Sequence, residues 1–130
     1  MTRVASLTLV VRDLERAITV WEECLGFTRV DEAADVPSLG ARHIVLRAAN
    51  CMLELIAPYD EEKPPGQFLR ARGEGMFAAG LEVDDPDRAR TELGKAFVDV
   101  RGAGPDARRW FLRPTDAHGI LVEVGGPVSD

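Results

Sequence analysis

The chain has 130 residues, 45% of them hydrophobic and 29% charged, with 16 Lys and Arg against 22 Asp and Glu for a formal charge of -6. Such a length fits one domain with a real core, the composition is not that of a disordered chain, and the acidic balance is the wrong sign for holding nucleic-acid phosphates. No apolar run approaches the roughly 20 residues of a membrane-spanning helix, and Met1-Thr2-Arg3 leads straight into a short alternating segment instead of a signal peptide, so neither a membrane nor a nucleic acid is expected as partner and a cytoplasmic location is. Cys24 and Cys51 fit neither a disulfide scaffold nor a C-x-x-C zinc site and are expected to be buried free thiols.

From the N-terminus, Leu7, Leu9 and Val11 alternate with Ser6, Thr8 and Val10, the pattern of a strand with one face on a core. Asp13 can cap a following helix whose apolar stripe Leu14, Ala17, Ile18, Trp21, Leu25 has 3.6-residue spacing, with Gly26 as a left-handed stop. Strands are predicted near Phe27 to Glu32, Ala41 to Ala48 and Cys51 to Pro58, joined by loops with Pro37, Gly40 and Asn50. Tyr59 to Gly75, with Pro64, Pro65 and several glycines, reads as a linker in which Gln67 to Arg72 could make one short helical turn. A further strand ending near Glu82 precedes a helix with Asp85 as cap and Pro86 at its first position, carrying a thin stripe of Ala89 and Leu93. Strands near Phe97 to Arg101, Ala107 to Arg113 and Gly119 to Gly125 complete the chain, punctuated by Gly102, Gly104, Pro105 and Pro114.

The two halves repeat. Leu9 to Ala17 lies over Leu81 to Ala89 at an offset of 72, a register that carries Trp21 onto Leu93 and Leu25 onto Phe97; Leu46-Arg47 lies over Leu112-Arg113 at 66, and Cys51 to Pro58 over Ile120 to Pro127 at 69. The predicted fold class is therefore α+β, one domain spanning residues 1–130, built of two tandem βαβββ modules at about 3–58 and 76–127 with the linker at 59–75. One helix covers only one face of each sheet, so the uncovered faces are expected to form a curved-sheet cleft for a small molecule. Period-2 alternation sends Ser6, Thr8 and Met52 of the first copy and Ala78, Gly80 and Leu121 of the second to that cleft. Glu54 and Glu123 share its face and are equivalent in the repeat. Carboxylates in such apolar strands need a cation, a proton or a donor, which makes them the first candidates for chemistry. Held close together they would repel and split into an acid and a base. His43 and His118 are the two imidazoles that could enter the cleft as a general base, and of Trp110 and Phe111 only one can face inward.

Leu7-Thr8-Leu9-Val10-Val11-Arg12-Asp13-Leu14-Glu15-Arg16-Ala17, the Trp21 to Phe27 helix end, Leu53-Glu54-Leu55-Ile56-Ala57-Pro58, Phe68-Leu69-Arg70-Ala71-Arg72-Gly73-Glu74-Gly75 and His118 to Glu123 together resemble the vicinal oxygen chelate superfamily of glyoxalase I, bleomycin-resistance proteins, extradiol dioxygenases and methylmalonyl-CoA epimerase, the epimerase pattern being the nearest. The resemblance covers nearly the whole chain and implies a glyoxalase-like fold, an isomerase or lyase acting next to a carbonyl of a small molecule or thioester, and a homodimer. In that pattern a divalent metal is held at positions that here are Ser6, Glu54, Ala78 and Glu123, and a second functional glutamate falls at Ser38. Both family histidines are missing. Ser6, Glu54 and Glu123 make a weak ligand set and Ala78 offers no donor, so tight metal binding is disfavoured and no cofactor is assigned. Glu54, Glu123 and His43 are the candidate catalytic residues, Ser6 a weak metal ligand beside the two glutamates, and Ser38 a cleft-lining position. The alternative is a metal-free protein that sequesters an antibiotic or metabolite, for which the acidic balance would suit a cationic ligand.

Overall fold

In the computed structural model the described residues are 1–96, 100–103 and 109–126, the middle stretch by backbone alone. The predicted strand starts at Phe97 and Ala107, the punctuating Gly104 and Pro105, and the end of the second module at residue 127 lie outside them. The elements are β1 (Arg3–Val10), α1 (Leu14–Ile18, continuing as a π-helical stretch Thr19–Cys24), β2 (Thr28–Arg29), β3 (Ala34–Val36), β4 (Ala41–Arg47), β5 (Met52–Pro58), α2 (Pro64–Arg72), β6 (Gly75–Glu82), α3 (Pro86–Lys95), β7 (Val100–Ala103), β8 (Arg109–Leu112) and β9 (Leu121–Gly125). This is the expected α+β class. The chain packs as two units, Ser6–Phe77, and Met1–Ala5 together with Ala78–Asp130.

In the first unit the strand order is β2-β4-β5-β1, with β3 also on β4. β1 runs parallel to β5 with Ser6 opposite Met52 and Thr8 opposite Glu54, and β4 runs antiparallel to β5 with Val45 opposite Glu54 and His43 opposite Ile56. Leu14, Ala17 and Ile18 of α1 bury against Val11, Ile44, Leu46, Leu53 and Leu55, with Leu7, Leu9, Trp21 and Phe27 packed around them. Fully removing side chains of this size from water stabilises by roughly 1.5–3 kcal/mol each before the opposing entropy is counted. Asp13 caps α1 as expected, its Oδ1 accepting from the Arg16 N–H at 3.1 Å, and Gly26 ends the helical segment at φ +83°.

Three expectations about this unit are corrected. Leu25 is 58% exposed and not on the stripe, because the segment after Ile18 widens to a π-helix in which the Leu25 N–H donates to the Val20 carbonyl five residues back, rotating later side chains off the 3.6-residue face. Residues 59–75 are not a plain linker with one turn: α2 is nine residues long, with Pro65 and Gly66 buried. Pro64 and Pro65 suit a first helical turn, which lacks N–H partners anyway. Gly66 is required there, since a Cβ would lie 2.1 Å from the Asp60 carbonyl oxygen. The cysteines are free, as expected, but not buried: Cys24 is exposed and Cys51 half-buried.

The second unit repeats the plan in the order β6-β9-β8-β7. β6 is parallel to β9 with Ala78 opposite Leu121 and Gly80 opposite Glu123, and β8 is antiparallel to β9 with Phe111 opposite Glu123. Trp110, Val122 and Val124 form its core with Ala89 and Leu93 of α3, so Trp110 faces the helix and Phe111 the other way. Asp85 caps α3 through the Arg88 N–H at 3.1 Å. The internal registers of the two units agree: Ser6 to Met52 becomes Ala78 to Leu121, Thr8 to Glu54 becomes Gly80 to Glu123, and Val45 to Glu54 becomes Phe111 to Glu123.

Candidate functional site

In each unit the helix packs on one face of the strands, and the polar candidates lie on the other. In the first unit that face carries Ser6, Thr8 and Val10 of β1, Met52, Glu54 and Ile56 of β5, and His43 and Val45 of β4, as the registers require, but Val10 and Ile56 are fully buried, so this face is open only toward Ser6, Thr8 and Met52. The structure joins three of these in one hydrogen-bonded cluster. His43 Nδ1 lies 2.6 Å from Glu54 Oε2, and Thr8 Oγ1 donates to the other carboxylate oxygen, Oε1, at 3.4 Å. His43 and Glu54 are each about three-quarters covered, at 27% and 28% side-chain exposure, so the pair is shielded from water but not sealed from a ligand.

The direction of this pair follows from its chemistry. A carboxylate oxygen without a proton can only accept, so in that pairing the proton between them sits on His43 Nδ1 and the ring's other nitrogen, Nε2, points away from Glu54. Among the described residues Nε2 has no hydrogen-bond partner. The contact holds the ring in one orientation on the face of the strands away from α1.

On the second sheet the equivalent face carries Ala78, Gly80, Leu121, Glu123 and Phe111. Here Arg109 Nη1 donates to Glu123 Oε1 at 2.6 Å, with the Arg109 side chain reaching past Gly125, whose missing Cβ would lie 3.5 Å from the arginine Cγ. Arg109 is 62% exposed and Glu123 35%. Sequence reasoning found Glu123 and missed Arg109. The signal was present: the offset of 66 that lays Leu46 over Leu112 also lays His43 over Arg109. Each unit therefore places a nitrogen donor on the penultimate strand, two residues before the residue opposite the glutamate, and closes it onto that glutamate.

The remaining candidates fall outside these clusters. Ser6 is half-buried and makes no hydrogen bond to Glu54, Ser38 is exposed on the 3-10 turn Pro37–Leu39, and His118 is exposed at φ 62° in the connection before β9. A cavity of about 580 Å³ in the first unit, lined by Val11, Arg12, Arg16, Trp21 and Glu74, contains neither His43 nor Glu54.

The donor set does not fit a resident metal. Among the described residues no three His, Cys, Asp or Glu side chains form a ligand group, Ala78 carries no donor, and Glu54 and Glu123 already spend oxygens on His43 and Arg109. A divalent ion brought to about 4 Å from a guanidinium is repelled by roughly 2 kcal/mol even in water.

Paired strand-helix-strand units with equivalent carboxylates on the faces away from their helices mark a fold built by duplication. The chain belongs to the Glyoxalase/Bleomycin resistance protein/Dioxygenase superfamily, whose description matches residues 3–124. It is 31% identical over 129 residues to the ethylmalonyl-CoA/methylmalonyl-CoA epimerase of Cereibacter sphaeroides, covering 94% of this chain and 96% of that one. Among solved structures it superposes on methylmalonyl-CoA epimerase from Mycobacterium tuberculosis with a TM-score of 0.77 at 27% identity, covering 97% and 88% of the two chains. A hypothetical protein of Bacillus halodurans gives 0.83 at 22% identity over 99% and 96%, a likeness of fold alone.

Proposed function

We propose that the protein is an isomerase of the glyoxalase superfamily that moves a proton at the carbon next to the carbonyl of an acyl thioester, with His43 as the base and Glu54 as its positioning residue, and without a resident metal. The observation that carries this reading is the 2.6 Å contact between His43 Nδ1 and Glu54 Oε2 on the face that the helix leaves bare. Nε2 takes the proton from the substrate carbon, the C–H electron pair moves toward the carbonyl oxygen, and a proton from water is delivered to the opposite face of that carbon while the first proton passes from His43 to solvent. A thioester suits this chemistry because its carbonyl acidifies the neighbouring C–H, and the relative of 31% identity is named as an epimerase of such compounds.

The alternative reading, capture of a cationic ligand without chemistry, is less well supported. It draws on unneutralised carboxylates, and Glu54 and Glu123 have His43 and Arg109 as partners. It also draws on aromatic surface, of which Trp21 is packed on the first core and Trp110 within the second, leaving Phe111 on the face away from the helix.

The test is wash-in of solvent deuterium at the α-carbon of a 2-alkylmalonyl thioester, followed by mass spectrometry. General-base catalysis contributes about 10²–10⁴-fold, so His43→Gln is expected to lose at least about 100-fold in exchange rate. Glu54→Gln should lose less, since the amide oxygen can still accept from Nδ1. Exchange that continues at the wild-type rate in His43→Gln would refute the assignment.

A further inference from the structure

We infer that Arg109 is a built-in cation: it occupies at Glu123 the place a divalent ion would need, and its remaining N–H groups form a binding site for a carboxylate on the ligand. The first ground is geometry. Arg109 gives Nη1 to Glu123 at 2.6 Å, and among the described residues its Nε and Nη2 groups donate to nothing. A guanidinium has five N–H donors in a planar fork, and the edge left over matches the two oxygens of a carboxylate.

The second ground is the repeat. Arg109 is the equivalent of His43, on the same strand of its unit, with the same relation to the same glutamate. In one copy the nitrogen donor is an imidazole; in the other it is a guanidinium, a planar fork of five N–H donors that stays charged throughout. Two equivalent positions therefore carry different chemistry, an imidazole in the first copy and a permanent positive charge in the second.

The third ground is space. Gly80 lies opposite Glu123 and Gly125 lies beneath the Arg109 side chain, so no bulk rises from either neighbouring position on that face. Glu123 neutralises part of the arginine's charge and, more usefully, holds its fork in one orientation. A carboxylate arriving at the free edge then meets donors already aligned, which lowers the ordering cost of binding.

The inference stands on the second unit alone and does not rest on the isomerase reading. The probe is malonate, a small dicarboxylate, titrated into the full chain by calorimetry, with malonamide as the uncharged control and manganese binding followed by electron paramagnetic resonance. Wild type and His43→Gln are expected to bind malonate alike, Arg109→Gln at least tenfold more weakly, and Arg109→Lys in between, with malonamide inert. Manganese should show no stoichiometric site in wild type. Equal malonate affinity in wild type and Arg109→Gln, or a stoichiometric manganese site lost in Glu123→Gln, would overturn it. If malonate binding depends on Arg109 but neither wild type nor any variant exchanges the thioester's α-proton, the isomerase reading fails and the anion site stands. Exchange together with Arg109-independent malonate binding overturns the anion site and leaves the isomerase reading in place.

Discussion

At the scale of single residues, His43 and Glu54 show how the same sequence position changes meaning once a neighbour is known. A glutamate in Met52-Leu53-Glu54-Leu55-Ile56 is an anomaly in an apolar strand, and it is the matching anomaly at Glu123 in the repeat that singles it out. Its partner lies 11 residues away on the adjacent strand, and only strand register brings them to 2.6 Å. Trp110 poses a related problem with the opposite solution. It is 2% exposed and its Nε1 has no acceptor in the described structure, so an N–H is buried at a cost of about 1–3 kcal/mol. Trp110→Phe removes that unpaired donor as well as some packing volume. The two changes oppose one another, and the net loss of stability in urea denaturation should be about 1 kcal/mol or less, against about 3–5 kcal/mol for Trp110→Ala.

At the scale of elements, the legible parts were those with local chemical signals. Asp13 and Asp85 announced their helices, and both cap as expected, while β4 and β5 fall within a residue of their predicted bounds because apolar alternation is long and clean there. β3 was invisible: Ala34-Asp35-Val36 is too short to show a period and is held by pairing to β4, with Asp35 Oδ1 accepting from the Tyr59 hydroxyl at 2.7 Å. α2 hid behind its prolines and glycines, which read as loop unless Pro64 and Pro65 are taken as a first turn. The π-helical stretch hid for a different reason, since Trp21 and Leu25 are correctly spaced for an α-helix and only the altered hydrogen-bond ladder separates them. It yields a sharp contrast. Leu25→Ala should change stability by no more than about 0.5 kcal/mol, as for an ordinary surface site. Leu55→Ala, at a fully buried position, should cost about 2–5 kcal/mol in the same urea titration.

At the scale of the whole molecule, the duplication visible in the sequence is matched register by register inside each unit, which is why the equivalence of Glu54 and Glu123 is legible in the order of residues alone. How each glutamate is satisfied is not legible there, because a side chain's partner depends on rotamers and diagonal neighbours that no period encodes. Their partners bear on metal dependence. With both glutamates engaged by the protein's own nitrogens, dialysis against EDTA is expected to leave the melting temperature and the thioester exchange rate unchanged within error, and added cobalt or zinc to give no saturable rise in melting temperature. Loss of exchange on chelation, restored by one equivalent of metal, would contradict the metal-free reading. No helix among the described residues is long and apolar enough to cross a membrane.

The division of β1 has a consequence for the order in which the molecule is made. Residues Ser6–Phe77 form a unit from one uninterrupted stretch, whereas the other unit combines Met1–Ala5 with a stretch beginning at Ala78, where Arg3 pairs with Glu82 at 3.5 Å. On a ribosome emitting about 5–20 residues per second, the first few residues leave the tunnel many seconds before their companions exist. During that interval Met1–Ala5 lack the partners that the stretch from Ala78 onward supplies, and an edge without its neighbour is a place where another chain can pair.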